Sequence, residues 1–169
     1  MKVKDVVTAQ EIVSGATEPK HKIPLFKVKL VKSRGVLSYP VTRIGSSEDL
    51  ARIARSELGH LPHEEVVAIG MNGRNEPIGV VKVSQGGISG SAMTPADVIR
   101  PLVAMGASAF VLAHNHPSGD PTPSQNDVIM TQELKKAAAC VGISFLDHLI
   151  IASVRAGGRW SSLRDAGYM

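Results

Sequence analysis

The sequence predicts a three-layer α-β-α sandwich built on a mixed β-sheet. Strand-length apolar runs alternate with helix-length amphipathic segments, the pattern of helices packed on a sheet. An early hairpin adds an antiparallel pair, so the sheet is mixed. The chain has 169 residues, 43% of them hydrophobic and 20% charged, enough for one domain with its own core and unlike a disordered chain.

Residues 1–20 carry little pattern. IPLFKVKLVKS (Ile23 to Ser33) sets Leu25, Lys27 and Lys29 against Phe26, Val28 and Leu30, which predicts a half-buried edge strand with a lysine face. GVLSYPVTRIGS reads as a loop or a second short strand. SSEDLARIARSELGH (Ser46 to His60) predicts a helix: a serine cap, an acidic first turn, an apolar stripe of Leu50, Ile53, Ala54 and Leu58, and Gly59 at the end. EEVVAIGMN (Glu64 to Asn72) and PIGVVKVSQ (Pro77 to Gln85), joined by GRNE, predict the hairpin.

GGISGSAM, with three glycines, predicts a flexible loop. TPADVIRPLVAMGA (Thr94 to Ala107) predicts a helix capped by Thr94 with Pro95 at its first position, kinked or split at Pro101. SAFVLAHN (Ser108 to Asn115) is an expected buried strand, and SQNDVIMTQELKKAAACVG (Ser124 to Gly142) a long helix ended by glycine. ISFLDHLIIASV is another expected buried strand, and RWSSLRDAGYM is expected to close the chain with a short helix.

The formal net charge is +4, unevenly spread. Residues 1–35 hold eight basic residues (Lys2, Lys4, Lys20, Lys22, Lys27, Lys29, Lys32, Arg34) against three acidic ones (Asp5, Glu11, Glu18), which leaves the rest about neutral. Such an arm suits nucleic acid or an acidic partner. A solvated edge that lysines protect from aggregation explains it better, since no aromatic or glycine-rich nucleic-acid motif accompanies it. A single cysteine, Cys140, permits no intrachain disulfide and fits a reducing, cytoplasmic setting. It lies in AAAC on a helix and is expected to be a packed thiol. The N-terminus lacks the apolar core of a signal peptide, and no apolar run reaches membrane-spanning length, so no membrane association is expected.

The stretch HNHPSGDPTPSQND (His114 to Asp127) carries the chemistry. Residues two apart on a strand point the same way, so His114 and His116 at a strand's carboxyl end can converge on one point. Asp127 falls in the first turn of the next helix. Two neutral imidazoles and a carboxylate suit Zn²⁺ with a position left for water. Ser124-x-x-Asp127 also reads as an ordinary capping box, and a strand-end histidine pair is commonly structural. Asp120 is a rival third ligand on a less fixed loop. His63 does not begin an H-E-x-x-H site, because Val66 and Val67 occupy the later positions. GGISGS lacks the lysine of a phosphate-binding loop. Asp147-His148, on a buried strand, is expected to support a site or the fold rather than ligate.

H-x-H, seven residues and then S-x-x-D resembles the JAMM (MPN+) metalloprotease signature, and the full stretch more narrowly resembles the RadC-like JAB family. EEVVAIGMNGRNEPIG resembles that family's upstream hairpin, VGISFLDHLIIA its "GI-x-LLDH" strand, and WSSLRDAGYM its closing "SL-x-x-x-GY". The resemblance covers residues 45–169 well and the basic segment, residues 1–44, loosely, dividing the chain into those two parts. It implies a JAB/MPN, cytidine-deaminase-like fold. It also implies a Zn²⁺ cofactor held by His114, His116 and Asp127, with Ser124 near the metal-bound water or the tetrahedral intermediate. An upstream glutamate acts as general base; alignment of Asn75 and Ile78 places it at Glu64, with Glu65 as fallback. Many relatives carry His-Pro-Arg-Glu where this chain has Thr94-Pro95-Ala96-Asp97, so substrate contacts from that segment do not carry over. Longer relatives begin with a helix-hairpin-helix for which this sequence has no room, so their DNA-repair role transfers weakly.

The function the resemblance implies is zinc-dependent hydrolysis of an amide, peptide or isopeptide bond in a peptide or protein substrate. A metal-dependent nuclease or phosphodiesterase is the alternative suggested by the basic arm, and a DNA-repair accessory protein is a third. One zinc with one glutamate suits acyl chemistry better than the two-metal clamp common in phosphoryl transfer.

Overall fold

The computed structural model describes residues 43–86 and 93–169 continuously, with the single positions 24, 27 and 31. The basic strand expected over 23–33, most of the segment expected at 35–46, and the glycine loop after Gly86 lie outside the described residues.

The described elements are α1 (Ser47–Leu58), β1 (Glu65–Met71), β2 (Pro77–Gln85), α2 (Pro95–Met105), β3 (Ala109–His116), α3 (Gln125–Cys140), β4 (Ser144–Ala152), a 3-10 turn (Val154–Ala156) and β5 (Trp160–Ser162). The strands form one sheet in the order β2-β1-β3-β4-β5. β1 pairs antiparallel with β2 and with β3, β3 pairs parallel with β4, and β5 returns antiparallel on β4. The expected mixed sheet is therefore present, and helices cover both its faces.

Strand parity decides which helix each side chain meets. Val67, Ile69 and Met71 of β1, Ala109, Val111 and Ala113 of β3, and Leu149 and Ile151 of β4 pack with Leu50, Ile53, Ala54 and Leu58 of α1. The intervening residues Val66, Ala68, Phe110 and Leu112 pack with Val98, Ile99 and Leu102 of α2 and Met130, Leu134 and Ala138 of α3. β1 is buried along its whole length, the consequence of lying between two strands and two helical layers. Glu64 and His114 share parity with the α2–α3 face; Glu65, Asn115 and Asp147 belong to the α1 face.

Under α1, Asp147 is fully buried. Burial raises its pKa against the pull of its hydrogen bonds. Ser162 Oγ donates to it at 2.8 and 2.9 Å, Ser47 Oγ at 3.2 Å, and the backbone amides of His148 and Arg164 at 2.7 and 3.2 Å. One carboxylate thus ties the start of α1 to β4, β5 and the chain after it.

Three local expectations need correction. α2 is not split at Pro101: the helix runs through it. A proline there forfeits one helical hydrogen bond, and burial of Val98, Ile99 and Leu102 around it holds the helix together. The chain closes with strand β5 and a turn in place of a short helix. Pairing of Trp160–Ser162 with Leu149–Ile151, and an indole hydrogen bond from Trp160 to Glu48 at 3.1 Å, override the local helical pattern. Cys140 is exposed, not packed. The buried stripe of α3 is Asp127, Met130, Thr131, Leu134 and Ala138, and Cys140 falls off that face.

Candidate metal centre

β3 ends by carrying His114 and His116 out of the core on the α3 face. His114 is fully buried and His116 half-buried, with their Nε2 atoms 3.0 Å apart. The residue ahead of β1, Glu64, has the parity of that face, and its carboxylate joins them: ligand atoms of Glu64, His114 and His116 all lie within 4.8 Å of one another, a group able to hold a metal ion. From the first turn of α3, the buried Asp127 brings Oδ1 to 3.3 Å from His114 Nε2 and Oδ2 to 3.8 Å from His116 Nε2.

The two glutamates are separated by strand parity. The buried Glu65 carboxylate lies 2.6 Å from Lys82 Nζ and 2.7 Å from His63 Nε2. Burial works against its charge, but the hydrogen bonds from Lys82 and His63 outweigh it and hold the pKa below the ordinary value. Glu65 is thus committed to an ion pair on the other face, while Glu64 is grouped with the histidines. Between them works a residue that the sequence reading did not single out. Asn115, the middle residue of H-N-H, points to the α1 side and is buried. Its Oδ1 accepts from Glu65 N at 2.8 Å and its Nδ2 donates to His63 O at 2.9 Å. It therefore pins the backbone on both sides of Glu64.

Ser124 is the N-cap of α3. Its Oγ accepts from Asp127 N at 3.2 Å, and Asp127 Oδ2 accepts from Ser124 N at 2.7 Å, a complete capping box. The cap does not compete with the metal reading, because the box uses Oδ2 and leaves Oδ1 as the oxygen nearer His114. Loss of this cap in Ser124→Ala is expected to cost about 1 kcal/mol, measured by urea unfolding of the metal-free chain, whereas Ser124→Asp should retain most of it.

Asp120 is not a rival ligand by its side chain. Its carboxylate accepts from Thr122 N at 3.0 Å and Thr122 Oγ1 at 2.7 Å. Its backbone carbonyl instead lies 2.8 Å from His116 Nδ1. A carbonyl only accepts, so Nδ1 of His116 carries the proton and a neutral His116 presents a bare Nε2 to the centre. The loop that places Asp120 is packed tightly: Gly119 has φ +87°, and a Cβ there would clash with the Ala156 side chain.

His114 is held neutral. Burial brings its pKa down to about 4, with the Asp127 charge pulling upward and His116 pushing down. The donors are therefore Glu64, His114 and His116 as one group, with the Asp127 carboxylate beside the two rings, partly shielded from water. This fits a divalent cation bound by nitrogen and oxygen. Residues 94 and 97 form a helix cap: the Asp97 carboxylate accepts from Thr94 N at 2.9 Å and Thr94 Oγ1 at 2.7 Å.

An α/β sandwich with a histidine–carboxylate centre at a strand's carboxyl end defines the class. The RadC-like JAB domain matches residues 44–168, and the chain belongs to that family. Among its relatives, the UPF0758 protein of Moorella thermoacetica is 36% identical over 141 residues, 82% of this chain and 60% of that one. The UPF0758 protein of Carboxydothermus hydrogenoformans is 41% identical over 104 residues, 62% of this chain and 46% of that one. A UPF0758 protein of Caldanaerobacter subterraneus is 37% identical over 125 residues, 74% and 52% of the two chains. The matched region thus spans about half the length of these relatives. Among the described residues, no helix is long and apolar enough to cross a membrane.

Proposed function

We propose that the protein is a zinc-dependent hydrolase of the JAMM type that cleaves an amide, peptide or isopeptide bond in a peptide or protein substrate. The observation that carries this reading is the convergence of Glu64, His114 and His116 within 4.8 Å, with the Asp127 carboxylate beside both rings. His114, His116 and Asp127 would hold the ion. When bound, Zn²⁺ supplies Lewis acidity that makes water nucleophilic near neutral pH and polarises a carbonyl. Glu64 takes the proton of the attacking water and passes it to the leaving amine. Ser124 uses its oxygen as the helix cap, and its hydroxyl hydrogen is the donor offered to the developing oxyanion. The chain's own side chains need supply no covalent nucleophile.

The test joins metal content to substrate class. Purified protein should carry about one Zn²⁺ per protomer by elemental analysis. It should cleave peptide or isopeptide substrates and leave single- and double-stranded nucleic acid intact. Cleavage of nucleic acid alone would replace this reading with the nuclease one. Binding of nucleic acid without cleavage would give the basic N-terminal segment a partner without changing the chemistry.

A further inference from the structure

His114 Nδ1 lies 2.9 Å from His148 Nε2, and the other nitrogen of His148, Nδ1, lies 2.6 Å from Thr131 Oγ1. Thr131 Oγ1 is in turn 2.6 Å from the backbone carbonyl of Asp127, one helical turn earlier on α3. All three side chains are fully buried. Each contact is shared by two groups, and the direction of each hydrogen bond is fixed by working from the one group that has no choice.

The Asp127 carbonyl has no hydrogen, so the Thr131 hydroxyl donates to it. A hydroxyl has one hydrogen, so toward His148 Thr131 can only accept. His148 Nδ1 therefore carries the proton. A buried imidazole holds one proton, which leaves His148 Nε2 bare. His114 Nδ1 then donates to it, and His114 Nε2 is left as a lone pair facing His116 Nε2 at 3.0 Å and Asp127 Oδ1 at 3.3 Å. The opposite direction would run His148 Nε2–H to His114 Nδ1 and His114 Nε2–H to His116 Nε2. It would satisfy the two rings without any ion, but it would leave Thr131 and the Asp127 carbonyl as two oxygens at 2.6 Å with no hydrogen between them.

We propose that Thr131 is a positioning residue of the metal centre: by donating to the Asp127 carbonyl it fixes the proton of His148, and through it that of His114, so that His114 offers a bare Nε2 to the ion. The inference rests on the metal reading above. It adds that tautomer choice is made from α3, by a residue that touches neither ion nor substrate. It also ties the two kinds of ligand together, since the carbonyl that starts the chain belongs to Asp127.

The test uses the full chain, free of metal and titrated with Zn²⁺ alone. Long-range ¹H–¹⁵N correlation spectra of the metal-free wild type should show both His114 and His148 protonated at Nδ1. In Thr131→Val, which keeps the shape and removes the hydroxyl, the chain of bonds should reverse and His114 should carry its proton on Nε2. Zn²⁺ affinity, read by competition with a chromophoric chelator, should then fall about 10–100-fold. Thr131→Ser should restore both the wild-type tautomers and the affinity. A wild-type His114 protonated at Nε2 overturns the proposal without reference to any variant. So does a Thr131→Val chain that binds zinc as wild type does, or a Thr131→Ser chain as impaired as Thr131→Val. A wild type that takes up no zinc overturns the metal reading itself and leaves Thr131 no centre to position, an outcome distinct from zinc uptake that ignores Thr131.

Discussion

Glu64→Gln is expected to keep its zinc and its thermal stability and to hydrolyse substrate about 10²–10⁴-fold more slowly than wild type. The amide has nearly the same volume and hydrogen-bonding reach as the carboxylate, so Asn115, which holds the backbone at His63 and Glu65, keeps its partners. What is lost is a basic oxygen able to take a proton from water. Glu64 stands close enough to both histidines to act as a ligand instead, and metal content separates the roles. A variant that loses zinc along with activity makes Glu64 a ligand; one that keeps zinc and activity removes it from the chemistry. Glu65→Gln provides the contrast. It breaks the pair with Lys82 on the opposite face of the strand and is expected to cost stability while hydrolysis continues.

Which glutamate stands with the histidines, and why the sequence alone left both open, is a matter of parity. Alternation along a strand names its faces only when one face is polar. β1 is apolar on both, with Val67, Ile69 and Met71 on the α1 side and Val66 and Ala68 on the other, so nothing in EEVVAIGM says which glutamate faces the histidines. The histidines themselves were legible, because H-x-H uses the two-residue period directly and fixes its own relative geometry. Asn115 was not, since a polar residue between two ligands reads as outward-facing until its partners, some fifty residues earlier, are placed beside it. Thr131 was hidden differently: a threonine in mid-helix carries no signal, and its role needs a strand from the far side of the helix to bring His148 to it. The closing helix failed for a related reason. SSLRDAGY has local helical features, but pairing with β4 is a long-range term that no local pattern reports. AAAC misled because small residues on every side of a helix leave its buried face unmarked.

His114→Ala/His116→Ala is expected to abolish zinc uptake, from about one ion per protomer to background by elemental analysis. Both nitrogen donors disappear, and carboxylates alone are a poor site for this ion. The consequence for stability separates a metal centre from a buried polar cluster. An ion bound only by the folded chain stabilises it by mass action, about 2.7 kcal/mol when free zinc is a hundredfold above its dissociation constant. Wild type should therefore melt at a higher temperature with zinc than with chelator, and the double variant should melt at one temperature in both. The variant should also melt below metal-free wild type, because removal of the His114 ring leaves His148 Nε2 buried without its partner, a loss of about 1–3 kcal/mol. His116→Ala alone distinguishes the two effects. Its ring is half-buried at the rim, so the metal-free chain should be nearly as stable as wild type while zinc no longer raises the melting temperature. Full zinc occupancy in the double variant would place the ligands elsewhere. Equal destabilisation of all variants in the presence and absence of zinc would make the histidines structural, and Glu64 would then have no activated water to deprotonate.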